Sequence, residues 1–252
     1  MKELHVENVT KSYGNVKALD KVELTVNPAE FVVVMGPSGC GKTTLLLVIL
    51  GALMPDEGHI RIDGKDISRL PLDERNIGYV PQEFGLFPHL NVFENTAFGL
   101  RVRKYPEATI RERAINLLRT VDLEGLESRK PKELSAGQKQ RVSLARALAT
   151  DPSVLLLDEP LSSIDEATKA DVRVNLKEIQ KKSKVTTLCV AHNPEDAFQL
   201  GERIAIMHSG KIIQCDNPQS ILDNPKNEIV RRLVAPMYIF WNRKHEVARE
   251  LI

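Results

Sequence analysis

The segment FVVVMGPSGCGKTT, residues 31–44, constrains the fold more than any other part of the sequence. Its apolar start predicts a buried strand, three glycines follow, and an apolar helical pattern begins where the glycines end. The spacing G-x-x-x-x-G-K-[ST] is met by Gly36, Pro37, Ser38, Gly39, Cys40, Gly41, Lys42 and Thr43. Strand, loop and helix in this order predict a phosphate-binding loop within an α/β fold.

Each part of this loop has a chemical reason. Glycines allow backbone N–H groups to turn toward phosphate oxygens, and the new helix presents its positive end to them. Lys42 supplies a charge for the β- and γ-phosphates, Thr43 offers a hydroxyl to Mg²⁺, and Thr44 is the last residue of this loop predicted to bind nucleotide. An ordinary glycine-containing turn is the alternative, and Lys-Thr-Thr at the helix start argues against it.

A second apolar run, in SVLLLDEP, ends in two adjacent acids, Asp158 and Glu159. Carboxylates at the end of a buried strand require a cation or a reacting water to justify their position. Asp158 is suited to hold Mg²⁺, directly or through water, and Glu159 to polarise an attacking water. The alternative is two surface acids at an exposed strand end. Beside a phosphate loop, the pair indicates binding and hydrolysis of a nucleoside triphosphate.

The rest of the chain alternates strand and helix patterns, which predicts a mostly parallel sheet with helices on both faces. From about residue 83 to residue 149 the pattern is helical instead, in FENTAFGL, ATIRERAINLLRTVDL and AGQKQRVSLARALA. This segment is predicted to be a helical insertion.

Composition excludes several classes of protein. A net charge of +1 over 252 residues argues against a strongly basic nucleic-acid binder, so no nucleic-acid partner is expected. Three cysteines without a CxxC pair argue against a disulfide framework. The longest apolar run, LLLVILGALM, is too short to span a bilayer, so any membrane role is expected to act through another subunit.

The segment LSAGQKQR, residues 134–141, is a second loop suited to an anion, and it enters a helix shortly before VLLLDEP. With it, the sequence resembles the ATP-binding subunit of an ABC transporter from about residue 4 to residue 221. Tyr13, Gln82 in VPQEFGLF, LSSID after VLLLDEP, and His192 match further motifs of that family in order.

The resemblance implies a P-loop NTPase core with a mostly parallel sheet, an N-terminal antiparallel β subdomain and an inserted helical subdomain. It implies that Tyr13 stacks on adenine and that Gln82 contacts Mg²⁺ or the attacking water and reports to the membrane subunit. Glu159 would be the general base, and His192 would contact the γ-phosphate. The expected catalytic set is Lys42, Gln82, Glu159 and His192, and the expected metal set is Thr43, Gln82 and Asp158.

The resemblance also explains the second anion loop. Two chains would face head to tail, so that Ser135, Gly137 and Gln138 reach the ATP of the partner chain. The sequence departs from the family at Ala136, where glycine is usual, and at Asn193, where an acid commonly follows the histidine. Ala136 is tolerable if its φ is negative, and Asn193 is expected to leave the histidine contact intact.

The expected partners are a second ATPase subunit, an integral-membrane permease bound through the region from Gln82 to Phe93, and a substrate-binding protein. The pattern resembles importers of sugar, polyamine, iron, and molybdate or tungstate, which implies a cytoplasmic protein at the inner membrane face. Residues 1–230 are predicted to form the ATPase domain and residues 231–252 a short tail without a regulatory domain. An exporter subunit and a DNA-repair or ribosome-associated ABC ATPase remain alternatives.

Overall fold

The structure is a computed structural model that describes residues 2–238. Its strands are β1 (Leu4–Tyr13), β2 (Val16–Val26), β3 (Phe31–Met35), β4 (Glu57–Ile62), β5 (Lys65–Asp66), β6 (Ile77–Val80), β7 (Val154–Asp158), β8 (Thr186–Ala191), β9 (Arg203–His208) and β10 (Lys211–Asp216). Its helices are α1 (Lys42–Leu50), α2 (Val92–Val102), α3 (Glu107–Thr120), α4 (Ala136–Leu148), α5 (Glu166–Ser183), α6 (Pro194–Leu200) and α7 (Pro218–Asp223). None of the helices in the described part of the chain is long and apolar enough to cross a membrane.

The central sheet has six strands in the order β10-β9-β3-β8-β7-β6. The neighbours from β9 to β6 pair in parallel, and β10 joins the edge antiparallel. Every residue of β3, β7 and β8 is buried, which explains why these strands are almost continuously apolar instead of alternating. The second sheet, β2-β1-β4-β5, is antiparallel. The predicted fold class is confirmed.

Helices α2, α3 and α4 form a separate layer within the predicted insertion. Helix α2 begins with a reciprocal cap, in which Asn91 accepts from the Glu94 N–H and Glu94 accepts from the Asn91 N–H. The three helices bury a small apolar cluster of their own: Ala97, Leu100, Ile110, Ala114 and Ala149. The insertion therefore has a core beside the main sheet.

The C-terminal part of the described chain packs on the main domain. Residues 228–238 are helical, and Val230, Val234 and Met237 are buried in the largest core cluster. The Tyr238 hydroxyl donates to the Leu222 carbonyl at 2.8 Å. The predicted boundary after residue 230 falls inside this helix, so the packed region extends to residue 238. The remainder of the predicted tail, 239–252, lies outside the described residues.

Candidate nucleotide-binding and catalytic site

The loop after β3 is closed by its own lysine. The Lys42 ammonium donates to the Gly36 carbonyl at 2.9 Å and to the Pro37 carbonyl at 3.0 Å. Its side chain is buried, although it stands at the start of α1. These bonds hold the positive charge beneath the loop backbone, where it adds to the positive end of the α1 dipole.

Gly41 shows why this loop requires glycine. Its φ is +109°, a backbone conformation that side chains with a Cβ rarely adopt. A Cβ built there would lie 2.2 Å from the Ala18 carbonyl oxygen. Cys40, one residue earlier, is buried, and burial raises the pKa of its thiol. Cys40 is therefore not a reactive thiolate at neutral pH.

A cavity of about 240 Å³ opens above the loop. It brings the predicted base, Glu159, together with loop residues that are more than a hundred positions away in the sequence. The cavity is lined by Ala18, Ser38, Gly39, Gly41, Lys42, Thr43, Thr44 and Glu159. A phosphate chain on this loop would thus lie in the same space as the carboxylate.

Asp158, the last residue of β7, is buried with only 7% of its surface exposed. Burial raises its pKa above the ordinary 3.8, while a hydrogen bond from the Tyr79 hydroxyl at 3.2 Å lowers it in part. Burial, and then the charge of Asp158, raise the pKa of Tyr79 to about 12, so the phenol remains a donor. Tyr79 was not singled out from the sequence, because an aromatic residue on a strand usually signals packing.

Asp158→Asn is expected to stabilise the nucleotide-free protein at neutral pH by about 1 kcal/mol, as neutralising a site residue often does. A raised pKa means that folding disfavours the ionised carboxylate, so the gain should vanish as the pH falls and Asp158 becomes protonated. Urea unfolding at several pH values measures it.

Asp66→Asn is the matched control with the opposite sign. Hydrogen bonds from the Ser68 hydroxyl and N–H lower the pKa of Asp66 to about 2. Folding therefore favours the ionised form of Asp66. Loss of this carboxylate in Asp66→Asn should destabilise the protein at neutral pH. A destabilised Asp158→Asn protein at neutral pH would contradict the account of Asp158.

Glu159 occupies a strained backbone position. Its φ is +45°, in the left-handed region that residues other than glycine rarely adopt. Its N–H donates to the Val190 carbonyl at 3.0 Å, and its carbonyl accepts from the Ser162 N–H at 3.1 Å and hydroxyl at 2.9 Å. These bonds from β8 and from the following turn hold the residue where its side chain lines the phosphate cavity.

Gln82 and His192 follow strands that neighbour β7. In a parallel sheet the carboxyl ends of adjacent strands meet at one edge, and ligands bind outside that edge. In the spatial order of the strands, the phosphate loop follows β3 and His192 follows β8. Asp158 ends β7 and Glu159 follows it, and Gln82 comes after β6. The registers that align these ends pair Met35 with Ala191, Val190 with Asp158, and Leu157 with Val80.

The side chains of Gln82 and His192 are exposed at this edge. His192 lines a second cavity, of about 250 Å³, together with Glu159 and Ser162. The Ser163 hydroxyl, in the LSSID segment, donates to the Gln82 carbonyl at 3.4 Å. Gln82 is not among the residues that line the phosphate cavity. Tyr13 is half exposed at the end of β1 and does not line that cavity either.

Ser135 and Gln138 cap helix α4. The Gln138 N–H donates to Ser135 Oγ at 3.2 Å, and the Ser135 N–H donates to Gln138 Oε1 at 2.9 Å. Gly137 is buried, and a Cβ there would lie 3.3 Å from Val172 Cγ2. None of these three residues lines the phosphate cavity of the same chain.

Both departures from the family pattern are accommodated. Ala136 is the first residue of α4, and its φ is not positive, so the freedom of glycine is not needed there. Asn193 caps α6, because its side-chain oxygen accepts from the Glu195 N–H at 2.9 Å. The amide therefore fixes the start of the helix that follows His192.

The predicted metal ligands have suitable chemistry for Mg²⁺. A Thr43 hydroxyl, an Asp158 carboxylate and a Gln82 amide supply oxygen, which Mg²⁺ prefers. The described residues contain no group of three or more His, Cys, Asp and Glu side chains that could hold a metal ion. In nucleotide sites Mg²⁺ usually takes several of its ligands from phosphate oxygens and water.

The comparisons with known proteins decide the family. Residues 19–162 match the family model described as ABC transporter, and this range contains the phosphate loop, the LSAGQ segment and the Asp158-Glu159 pair. The chain belongs to the ABC transporter family. The sequence-based recognition of an ABC ATP-binding cassette is thereby confirmed.

Curated relatives of this cassette include import ATP-binding proteins. The spermidine/putrescine protein of Aggregatibacter actinomycetemcomitans is 41% identical over 94% of the chain, and the chain spans 64% of its length. The sulfate/thiosulfate protein of Gloeobacter violaceus is 45% identical over 89% of the chain, which spans 65% of it. The spermidine/putrescine protein of Clostridioides difficile is 41% identical, with 68% of its length spanned. The chain thus spans about two thirds of these relatives.

Solved ATP-binding cassettes share this ABC fold. One, a dimer in a post-hydrolysis state bound to ADP and phosphate, has a TM-score of 0.74 and 36% identity, covering 85% of the chain and 98% of the cassette. Another, in its ADP conformation, has a TM-score of 0.79 and 29% identity, covering 91% of the chain.

Proposed function

We propose that this chain is the ATP-hydrolysing subunit of an ABC importer. The observation that carries the proposal is the cavity that Lys42, Thr43 and Glu159 share. The phosphate loop and the Glu159 carboxylate line the same cavity. Hydrolysis of a γ-phosphate requires a phosphate-binding group and a base in one place.

Each site residue has a separate role in ATP hydrolysis. Backbone N–H groups of the loop and the Lys42 ammonium hold the β- and γ-phosphates, and Glu159 accepts a proton from the attacking water. His192, after β8, orients that water and the γ-phosphate. Mg²⁺, held through Thr43, Asp158 and Gln82, would neutralise charge on the phosphates. Tyr13 stacks on the adenine.

A second copy of the chain completes the site. Ser135, Gly137 and Gln138 form a helix start suited to an anion, and they do not line the phosphate cavity of their own chain. They bind the γ-phosphate held by the partner. Two such sites arise from reciprocal pairing of unlike patches. The dimeric solved relative, at 36% identity, supports this assembly.

The names of the relatives support the import direction. They do not identify the substrate of this chain. Spermidine and putrescine are cations and sulfate is an anion, yet the corresponding relatives are 41% and 45% identical to this chain. Sequence identity between cassettes therefore does not indicate the charge of the transported substrate. We assign substrate selection to a permease and a substrate-binding protein, with the cassette at the cytoplasmic membrane face.

The permease is proposed to bind at residues 82–93 and the adjacent face of α2. Phe98 is 40% exposed, and its ring lies 4.4 Å from that of Phe87. Phe87 itself is half-buried. An exposed aromatic ring that packs on a half-buried one is typical of protein interfaces.

The test is purification of the tagged full-length protein from detergent-solubilised membranes, with phosphate release measured on the product. We expect Mg²⁺-dependent ATP hydrolysis and co-purification of an integral-membrane protein. Lys42→Ala is the control for activity, because it removes the ammonium group that binds the phosphates. Absence of hydrolysis in the complex would contradict the proposal.

A further inference from the structure

The turn that follows Gln82 has an unusual backbone. Phe84 and Gly85 are both left-handed, with φ of +62° and +59°. Glycine adopts this region freely, but a bulky residue such as phenylalanine does so only when its surroundings impose it. At Gly85 a Cβ would lie 2.7 Å from Pro81 Cγ. The turn has two backbone bonds of its own, from the Phe84 N–H to the Pro81 carbonyl at 3.1 Å and from the Gly85 N–H to the Glu83 carbonyl at 2.7 Å, and contacts from elsewhere in the molecule add to them.

Two side chains of helix α4 make those contacts. The Ser143 hydroxyl donates to the Phe84 carbonyl at 2.7 Å. The Arg146 guanidinium donates to the same carbonyl at 3.2 Å and to the Gly85 carbonyl at 2.6 Å. Ser143 and Arg146 are three residues apart, so they lie on one face of the helix. The Phe84 and Gly85 carbonyls thus both accept bonds from one helix.

The same guanidinium extends this contact along the loop. It lies over the Phe87 ring, 5.3 Å from the ring centroid. The Phe87 N–H in turn donates to the Asn95 side chain at 2.9 Å. One arginine therefore touches the turn beside Gln82 and an aromatic residue of the proposed permease surface.

Helix α4 also begins at the segment proposed to bind the partner's ATP. Its first residue follows Ser135, and Arg146 lies about 16 Å further along at the helical rise of roughly 1.5 Å per residue. The helix thus joins the end that faces the partner to the turn that carries Gln82.

We propose that Ser143 and Arg146 are positioning residues for Gln82. By bonding the Phe84 and Gly85 carbonyls to α4, they keep the left-handed turn formed and hold the Gln82 amide at the strand edge where hydrolysis takes place. This inference rests on the proposed ATPase function. Ser143 and Arg146 act through the turn and do not contact the nucleotide themselves.

The test combines hydrogen exchange with ATPase kinetics on Arg146→Gln and Ser143→Ala. Loss of a charged hydrogen bond should speed amide exchange in a peptide covering residues 83–87 by about tenfold in Arg146→Gln, with a smaller effect in Ser143→Ala. The kcat for ATP should fall about tenfold as Gln82 loses its position. The KM for ATP should stay within about twofold, since the phosphate loop is unchanged.

Arg113→Gln is the matched control. Its guanidinium lies 5.1 Å from the Tyr105 ring in the same helical layer, so the change removes the same chemical group from a different aromatic contact. Exchange in the peptide covering residues 83–87 and kcat should both remain at the wild-type level. Ser143→Ala covers the case in which Arg146→Gln does not fold, because it removes only a hydroxyl.

Two results would overturn the inference. Unchanged exchange in the folded variants would mean that the turn does not depend on α4. Faster exchange with a wild-type kcat would mean that the turn does not position Gln82. A wild-type protein without ATPase activity would instead reject the proposed function, while the exchange measurement would still test the contact.

Discussion

Glu159→Gln is expected to lower ATP turnover by a factor of about 10²–10⁴, the range for loss of a general base. The amide has nearly the same shape, but it cannot accept a proton from water. Binding of ATP should survive, because Lys42 and the phosphate loop are intact. Phosphate release measures turnover, and size-exclusion chromatography with ATP should show a stable dimer.

Glu166→Gln is the matched control for this variant. Glu166 lies at the first turn of α5, pairs with Lys169 at 2.6 Å and does not line the phosphate cavity. Its turnover should equal that of the wild type. A Glu159→Gln protein that hydrolyses ATP at the wild-type rate would remove Glu159 as the base.

Ser135→Arg is expected to spare ATP binding and to block ATP-driven dimerisation. The variant places a long cation where the γ-phosphate end of the partner's nucleotide would meet the start of α4. Loss of the cap costs the monomer only about 1 kcal/mol, so it should remain folded. Light scattering in the Glu159→Gln background, with and without ATP, measures the effect.

Asn217→Arg separates the cap from the interface. Asn217 caps α7 by accepting from the Ser220 N–H at 2.9 Å, so this variant also loses a side-chain helix cap and gains the same charge. It should dimerise normally. Normal dimerisation of Ser135→Arg would reject the cross-chain site.

The phosphate loop and the order of the motifs were predictable because each depends on local chemistry. An apolar run followed by Gly36, Gly41 and Lys42 predicts a strand, a turn and a helix. All the residues that carry this signal lie close together in the sequence. Asp158 and Glu159 were recognisable for the same reason, since acids directly after a buried strand require a ligand. The family resemblance added Tyr13, Gln82 and His192, and their roles remain predictions.

Contacts between distant segments were not predictable. The hydroxyl of Tyr79 meets Asp158 across 79 positions of sequence, and Arg146 meets Gly85 across 61. Neither pair has a spacing pattern, since such distances depend on how strands and helices pack. The reciprocal cap of Ser135 and Gln138 was local and could have been found from its three-residue spacing.

The sequence by itself determined which chemical groups this protein carries and at which strand ends they stand, because motif spacing and apolar patterning act over a few residues. Only the tertiary structure decided that β3, β8, β7 and β6 lie side by side, so that one edge holds all four sets of groups. It also decided that Glu159 adopts a left-handed backbone, imposed by bonds from β8 and the following turn. Strand order and backbone strain depend on packing between distant segments, which no local pattern encodes.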